Sequence, residues 1–442
     1  MSMRIIIIGA GQVGSFLARE LSKQHEVVVI ECDEERSKKI SDSFDVLTIV
    51  GDGDNPLTLK KAEIDKADIL LAVTGDDKTN ILASLVGFSS GVKKIVTRIR
   101  NHDYLNYPQI LNEPEIYVVN PGDIISEKVY SLISNPFAWK TESFAMGKVE
   151  LFKLRVEAET PIVNKKLSEI GPAKSWIFVG ISRDGKIEIP TGDTVLHAGD
   201  YIFALGVPSV LNKLKELFNL EIDKIHSVII VGGGRLGRKT ASILHEKGII
   251  VKLIENNPER ARIAAEELPG VTVFNGDATD SETLKEAGVT SCDYLLALTG
   301  SDEENVFSAL LAKNLGIRRS TVLYTKPDYI DVLEAIGVDR AISVRMAVAN
   351  EILSLLHIGG VAHIALLEEG RGEVLEFDVS ENTKILGIPL CEAHLPHDSI
   401  IGICIRNDEV IVPRGDFVPQ LNDRLIVFAL PSAVLKVEKI LG

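Results

Sequence analysis

The chain has 442 residues, of which 45% are hydrophobic and 25% are charged, and its formal net charge is −15. This length and composition indicate several globular domains and exclude a wholly disordered protein. The negative charge disfavours nucleic-acid binding, because an extended interface with the phosphate backbone needs clustered Lys and Arg.

Six short apolar runs occur in the first part of the chain, near residues 4–8, 26–30, 46–50, 68–72, 94–98 and 115–119. Segments with helical periodicity separate them. A continuous apolar run between helices is typical of a parallel strand that is covered on both faces. The pattern therefore predicts an α/β domain with a doubly wound, Rossmann-like parallel sheet.

A glycine-rich loop follows the first run, in the sequence RIIIIGAGQVG. Gly9 would permit a tight turn, Gly11 would let a pyrophosphate approach the backbone, and Gly14 would let the helix pack closely on the strand. The N–H groups and the dipole at the helix start favour phosphates. The loop therefore indicates a dinucleotide site, with the alternative that its glycines serve only the geometry of the turn.

Polar residues follow the next apolar runs. Glu31 ends the second run, where a carboxylate can accept two ribose hydroxyls and repels a 2′-phosphate, which favours NAD or an adenine nucleotide over NADP. Asp52 ends the third run, where it would lie at the adenine edge, cap the next helix, or do both. Thr74 and Gly75 follow the fourth run, beside the crevice of the sheet. Asp77 is a candidate N-cap of the following helix.

A smaller domain is predicted after this α/β region. Residues 123–140 are expected to form a crossover helix and linker. The next apolar runs lie closer together, with turn signals at Asp184-Gly185 and Gly199-Asp200, and a helix-like SVLNKLKELF closes the region. Hairpin turns and a terminal helix predict a small α+β domain.

The second half of the chain repeats the first in the same order. SVIIVGGGRLG matches the glycine loop, VKLIE matches VVVIE, and LLALTG matches LLAVTG. The corresponding positions of a second nucleotide site are Gly232, Gly234, Gly237, Glu255, Asp277 and Thr299. The predicted limits of the successive segments are 1–122, 123–140, 141–221, 225–343, 344–358 and 361–442.

Two differences between the halves bear on the ligand. The residue after the second glycine is Gln12 in the first half and Arg235 in the second. An Arg beside a phosphate loop adds a charge-assisted contact, so the second half is expected to prefer ATP or ADP. Arg98 ends the fifth run and aligns with Tyr324, so an anion contact from that strand is expected only in the first half.

The sequence carries no recognisable catalytic or metal-binding motif. It lacks a Tyr-x-x-x-Lys pair and a P-loop, and His102 is interpreted as a loop residue. The four cysteines form no CxxC pair, so neither a disulfide framework nor a metal site is expected, and a reducing cytosol fits. Dinucleotide sites without catalytic residues favour sensing. An NAD-dependent dehydrogenase with duplicated cofactor domains is the alternative.

The tandem GAGQVG…VVVIE…GDGD…LLAVTGDD, followed by PTGDTVLHAGD and then by the same arrangement again, resembles the TrkA family of Trk-type potassium uptake systems. That family is built from two pairs of regulator-of-conductance-of-potassium (RCK) N and C domains, and the resemblance covers essentially the whole chain. It implies a cytosolic regulatory subunit that responds to NAD(H) and ATP or ADP. It also implies a homotetramer ring beneath a TrkH-like membrane potassium-translocating partner. An RCK-type regulator of another channel or of an antiporter is the alternative.

The resemblance further implies which residues contact the nucleotide. In the first half these are Gly9, Gly11, Gln12, Val13, Glu31, Asp52, Thr74, Gly75 and Arg98. In the second half they are Gly232, Gly234, Arg235, Leu236, Glu255, Asp277 and Thr299. Tyr324 departs from the pattern at the position of Arg98.

Overall fold

The chain folds into two halves that repeat the same pair of domains. The structure, a computed structural model, describes residues 2–107, 111–134, 139–170, 174–219, 224–356 and 361–442. Residues 135–138 of the predicted first linker, the end of the predicted first α+β domain at 220–221, and residues 357–358 of the predicted second crossover helix lie outside the described residues. The predicted duplicated α/β and α+β fold is confirmed.

The first N domain is a parallel sheet in the order β3-β2-β1-β4-β5-β6, flanked by helices. Its strands are β1 (Arg4–Ile8), β2 (Glu26–Glu31), β3 (Leu47–Val50), β4 (Ile69–Ala72), β5 (Lys94–Arg98) and β6 (Ile116–Val119). Its helices are α1 (Gln12–Leu21), α2 (Glu34–Ser43), α3 (Pro56–Lys61), α4 (Asp77–Ser89) and α5 (His102–Leu105), and the crossover helix α6 (Pro121–Ser134) follows. The strand order reverses between β1 and β4, which is where an open α/β sheet forms its ligand crevice.

The first C domain is an antiparallel sheet in the order β10-β9-β11-β8-β7 with two helices. Its elements are β7 (Trp139–Phe144), β8 (Val149–Arg155), α7 (Leu167–Ile170), β9 (Trp176–Arg183), β10 (Lys186–Glu188), β11 (Tyr201–Gly206) and α8 (Leu211–Phe218). Asp184 and Gly185 form the two-residue hairpin turn between β9 and β10, as the sequence predicts.

The second N domain repeats the first, with a parallel sheet in the order β14-β13-β12-β15-β16-β17. Its strands are β12 (Ser227–Val231), β13 (Ile250–Glu255), β14 (Thr272–Asn275), β15 (Tyr294–Ala297), β16 (Arg319–Tyr324) and β17 (Arg340–Ser343). Its helices are α9 (Arg235–Glu246), α10 (Pro258–Glu267), α11 (Ser281–Glu286), α12 (Asp302–Asn314) and α13 (Tyr329–Ala335), and the crossover helix α14 (Val344–Leu356) follows.

The second C domain has the same strand arrangement as the first, in the order β18-β19-β22-β20-β21. Its elements are β18 (Val361–Leu367), β19 (Gly372–Asp378), β20 (Ser399–Arg406), β21 (Glu409–Ile411), β22 (Arg424–Ala429) and α15 (Pro431–Leu441). The two C-domain sheets share one hydrophobic core, in which the rings of Phe203 and Phe428 lie 5.9 Å apart. A Cβ on Gly180 would lie 2.7 Å from the Phe428 ring, so glycine permits this close approach.

Each crossover helix packs on the N domain of the other half. Val129 and Leu132 of α6 belong to a core with Ala241 and Leu244 of α9. Residues of α14, including Ile352, belong in turn to the core beneath α1. Burial of these apolar side chains, worth about 1.5–3 kcal/mol for each large one, ties the halves together. Both α1 and α9 begin at a glycine loop, so each crossover helix contacts the helix that follows the glycine loop of the other half.

Within the described ranges, no helix combines the length and the apolar character needed to span a bilayer.

Candidate nucleotide-binding clefts

The glycine loops have the backbone geometry that a pyrophosphate site requires. Gly9 and Gly232 have φ of +97° and +104°, which favours glycine. A Cβ on Gly14 would lie 1.8 Å from the Gly9 carbonyl oxygen, so this glycine permits helix and strand to approach.

The second glycine of each loop, Gly11 or Gly234, is different. A Cβ there would meet no atom within 4 Å, so the side-chain direction is open. These positions leave the backbone N–H groups at the starts of α1 and α9 accessible to an anion.

The acid at the end of the second strand is fixed against the glycine loop in both halves. Oε2 of Glu31 accepts the Ala10 N–H at 2.5 Å, and Oε1 accepts the Asp33 N–H at 3.1 Å. Glu255 makes the corresponding bonds with the N–H groups of Gly233 (2.6 Å) and Asn257 (2.9 Å). A carboxylate has about four acceptor positions, so capacity for ribose hydroxyls remains. Both acids are buried, which fixes their orientation.

The second half contains a cavity of about 310 Å³ at the carboxyl ends of its strands. The residues predicted there that line it are Gly232, Gly234, Glu255, Asp277 and Thr299. The cavity is also lined by four residues that were not predicted from the sequence: Asn256, Arg260, Ser301 and Glu304. Their signal was weak, because polar residues after a strand or in a first helical turn are common for capping alone.

The helix caps differ from the expected ones. The sequence offered Asp52 and Asp77 as caps, whereas the side chains that cap α3 and α4 belong to Asn55 and Asp76. Asp77 instead accepts the N–H groups of Arg100 (3.0 Å) and Asn101 (2.8 Å), which fixes the segment after β5. The expected cap roles of Asp52 and Asp77 were therefore wrong.

The second half has its caps at the positions that match those of the first half. Asp280 caps α11, while Asp277 accepts the N–H and the hydroxyl of Thr279 at 2.8 and 2.7 Å. Ser301 caps α12. The Asp277 carboxylate thus lines the cleft without being a helix cap.

A buried asparagine holds the loop after the fourth strand in each half. Oδ1 of Asn80 accepts both the N–H (2.9 Å) and the hydroxyl (2.7 Å) of Thr74, and Nδ2 donates to the Arg98 carbonyl at 2.8 Å. Asn305 makes the same contacts with Thr299 and donates to the Leu323 carbonyl at 3.0 Å. The sequence signal was an asparagine six residues after the threonine in both copies, which the motif analysis left unused.

Arg98 lies beneath the loop that carries Thr74. Its Nη2 donates to the Thr74 carbonyl at 2.5 Å. Burial, together with the charge of Arg100, lowers the pKa of Arg98 to about 10. Arg100 itself lines an open cleft with Gly75, so it is a further cation near the loop that follows β4. The aligned Tyr324 is buried and lines a small cavity beside α14.

The residues that begin α1 and α9 do not all face their own clefts. Val13 is buried in the core, so its contribution to a ligand is its backbone N–H, while Gln12 is exposed. Arg235 and Leu236 line the open cleft between the two N domains, opposite Gly75 and Arg100. Arg235 is thus placed toward the first half, in addition to starting the helix of its own loop.

The TrkA-N domain family matches residues 5–119 and 228–344, and the TrkA-C domain family matches residues 151–219 and 374–442. The chain is 37% identical over 440 residues to the Trk system potassium uptake protein TrkA homolog of Archaeoglobus fulgidus, covering 99% of this chain and 100% of that protein. It is 32% identical over 450 residues to the Trk system potassium uptake protein TrkA of Azorhizobium caulinodans, covering 99% of this chain and 98% of that protein.

Solved structures with the same fold include the GsuK channel. It superposes with a TM-score of 0.62 at 21% identity, covering 100% of this chain and 79% of that one. The GsuK channel bound to NAD superposes with a TM-score of 0.60 at 20% identity, with the same coverage. With both domain types matched twice and full-length relatives above 30% identity, this chain belongs to the TrkA family.

Proposed function

We propose that this chain is the nucleotide-binding regulatory subunit of a potassium uptake system and that it gates a membrane potassium-translocating partner. The observation that carries the proposal is the exchange of crossover helices: α6 packs on α9 and α14 packs on α1. A nucleotide bound at either glycine loop would therefore affect how the crossover helix of the other half packs. Ligand coupling of this kind is typically about 1–3 kcal/mol per site, and several sites in one assembly add up.

The proposed ligands are NAD(H) and ATP or ADP. In the first half, the N–H groups at the start of α1 would hold the pyrophosphate, and Glu31 would accept ribose hydroxyls. Thr74, Gly75 and Arg98 would surround the distal part. Arg235 and Arg100 line the same inter-half cleft as Lys78, Asp76 and Asp77, so a terminal phosphate there would have three cations and two carboxylates around it. In the second half, Gly234, Glu255, Asp277 and Thr299 line a cleft of suitable shape.

The partner is proposed to be a TrkH-like membrane subunit, with this chain peripheral on the inner face of the membrane. The chain is further proposed to assemble as a homotetramer ring. Exposed apolar side chains on the N domains support self-association: Phe307 of α12 is 65% exposed, and Val332 of α13 is 54% exposed. Leu82 of α4 is also exposed, at the matching helix of the first half. Exposed apolar groups in a cluster mark interaction surfaces.

The test is a flux measurement on the complex that co-purifies with the full chain from native membranes. Rubidium uptake into vesicles would be followed with NAD⁺, NADH, ATP and ADP in turn, for the wild type and for Glu31→Gln combined with Glu255→Gln. We expect a nucleotide-dependent flux that the double variant blunts. Glu35→Gln, a change at an exposed residue of α2, is the matched control and should respond like the wild type.

Two results would contradict the proposal. One is a flux that does not depend on any of the four nucleotides. The other is steady consumption of NADH by the purified chain with a small metabolite, seen as a falling nicotinamide absorbance, which would favour the dehydrogenase alternative.

A further inference from the structure

We propose that the contact between α1 of the first N domain and the second C domain is a proton-controlled dock, which holds when two carboxyl groups, one buried and one half-buried, carry protons and loosens when they ionise. The proposal concerns Glu373 on β19 and Glu438 on α15. It adds a pH response to a surface that lies away from both nucleotide clefts.

Three carboxyl groups meet at this contact. Glu373 is 5% exposed, and the Glu20 side chain of α1 is 9% exposed. Glu438 accepts a hydrogen bond from the Gln24 side chain, which follows α1. Burying a carboxylate is costly unless cations and hydrogen bonds compensate the charge, so the number of cations at this contact decides its charge state.

Among the described residues, the cations that act on Glu373 are Arg19 in the last turn of α1 and Lys23, which follows α1. Arg19 donates from Nε to Oε1 of Glu20 at 2.7 Å, and Lys23 forms an ion pair with the same carboxylate. Both cations are therefore already engaged by Glu20. Two anions, Glu20 and Glu438, act on Glu373, together with the same two cations. With all three carboxyl groups ionised, the contact therefore holds three anions and two cations.

The physical consequence is a strong preference for neutral carboxyl groups. Burial raises the pKa of Glu373 to about 7, and Lys23 and Arg19 offset this only in part. Burial likewise raises the pKa of Glu438 to about 7. The ordinary value for both groups is 4.5.

The sign of the pH effect follows from these raised values. Because the docked pKa is above the undocked one, docking is fully favoured below about pH 4.5. It weakens by up to about tenfold per pH unit and per group as pH rises toward about 7. Above that range both groups are ionised in the docked and in the undocked state, so docking weakens no further and the loss is complete.

The dock touches the helix that carries the first glycine loop. Arg19 and Glu20 lie in the last turn of α1 and Lys23 follows it, while Gly11 of the glycine loop is the N-cap at the other end of the helix. Loosening the dock would free one end of this helix while the other end binds phosphate. This link to the nucleotide rests on the proposed function, whereas the dock itself does not, so the experiment is done without nucleotide.

The experiment is hydrogen exchange on the full chain, read by mass spectrometry as protection factors corrected for the intrinsic rate, from about pH 6 to about pH 8. In the wild type we expect protection of α15 and of the end of α1 to fall by about tenfold or more across this range. The double variant Glu373→Gln with Glu438→Gln keeps the shape of both side chains but removes their ionisation. Its protection should therefore be independent of pH. Glu266→Gln, an exposed change on α10, should behave like the wild type.

Lys23→Gln provides a second, opposite test. Removing this cation raises the cost of ionising Glu373 and Glu438, so the loss of protection should extend to higher pH. The single variants Glu373→Gln and Glu438→Gln should each remove part of the response, which keeps the test valid if the double variant folds poorly. An unchanged pH response in these variants, or no response in the wild type, would overturn the dock while leaving nucleotide regulation intact.

Discussion

The Oε2 atom of Glu31 lies 2.5 Å from the backbone nitrogen of Ala10, so the acid at the end of β2 is held directly against the glycine loop. The same relationship recurs 2.6 Å apart between Glu255 and Gly233. The acid proposed to bind ribose and the loop proposed to bind phosphate are thus joined by a direct hydrogen bond in each half. A ligand that engages both would meet groups whose geometry is set before binding, which reduces the entropy cost of association.

Glu31→Gln should therefore weaken nucleotide binding while keeping the contact with the glycine loop. The amide oxygen of Gln can still accept the Ala10 N–H. The amide NH2 group cannot accept the Asp33 N–H, and the negative charge that strengthens hydrogen bonds to ribose hydroxyls is lost. A hydrogen bond to a charged group contributes about 1.5–3 kcal/mol, so we expect NAD affinity to fall about 10- to 100-fold. Calorimetric titration of the wild type, Glu31→Gln and Glu35→Gln measures this. Equal affinity in all three would remove Glu31 from the site.

Gly11→Ala and Gly14→Ala should separate binding from folding. An added Cβ at Gly11 meets nothing within 4 Å, so the thermal midpoint should stay near the wild-type value while nucleotide affinity falls. An added Cβ at Gly14 would lie 1.8 Å from the Gly9 carbonyl oxygen, which forces a backbone shift that costs about 1–3 kcal/mol. Differential scanning calorimetry with and without NAD distinguishes the two. Equal thermal midpoints for the two variants would contradict the assignment of Gly11 to binding and of Gly14 to folding.

The strands and the glycine loops were predictable because local pattern decides them. An unbroken run such as Ile5–Ile8 suits a strand covered on both faces, and the duplication supplied the same pattern twice. The position of Glu31 followed from the motif. The caps at Asp76 and Asn55 were missed because Asp77 and Asp52 are equally good candidates, and only backbone conformation separates them.

Contacts between distant segments were beyond prediction. The hydroxyl oxygens of Ser126 in α6 and Thr240 in α9 lie 3.2 Å apart. The sequence around each residue does not indicate this contact, because both are small polar residues of amphipathic helices. Arg235 was expected to serve its own loop, and its place opposite Arg100 depends on how the halves pack. The burial of Glu373 likewise arises from domain docking, since in sequence it is one charged residue in a strand.

Asp200→Asn should destabilise the first C domain. Asp200 accepts from Nε and Nη2 of Arg183, both at 2.7 Å, and Asp423 repeats this with Arg406 in the second C domain. Burial raises the pKa of the Asp200 carboxyl, but hydrogen bonds from Arg183 and the His197 N–H outweigh burial and hold it below its ordinary value. Because Arg183 is partly exposed, we expect Asp200→Asn to lower the free energy of unfolding by about 2 kcal/mol, which is less than the loss for a fully buried pair.

The pH dependence of this pair has a definite sign. A depressed carboxyl pKa contributes stability that is present above the ordinary value of 3.8 and is lost as pH falls through the lower, folded value. The melting temperature of the wild type should therefore drop on acidification below about pH 4. The melting temperature of Asp200→Asn should be lower at neutral pH and should drop less on acidification. Asp193→Asn, at a highly exposed ion pair with Lys166 in the same domain, is the control and should change little. A large effect of the control would contradict the assignment to burial.

Phe307→Asp should reduce self-association if the N-domain faces join copies of the chain. Phe307 is 65% exposed on α12, and Val332 is exposed on the adjacent α13, so an introduced carboxylate would have to be desolvated in a contact made by these helices. Removing one central aromatic residue from an interface costs about 2 kcal/mol or more, equivalent to about a 30-fold weaker association per contact. Analytical ultracentrifugation should show a smaller species for this variant. Leu421→Asp, at an exposed apolar residue of the second C domain, is the matched control and should keep the wild-type mass. Loss of the assembly in the control, or its persistence in Phe307→Asp, would place the contact elsewhere on the chain.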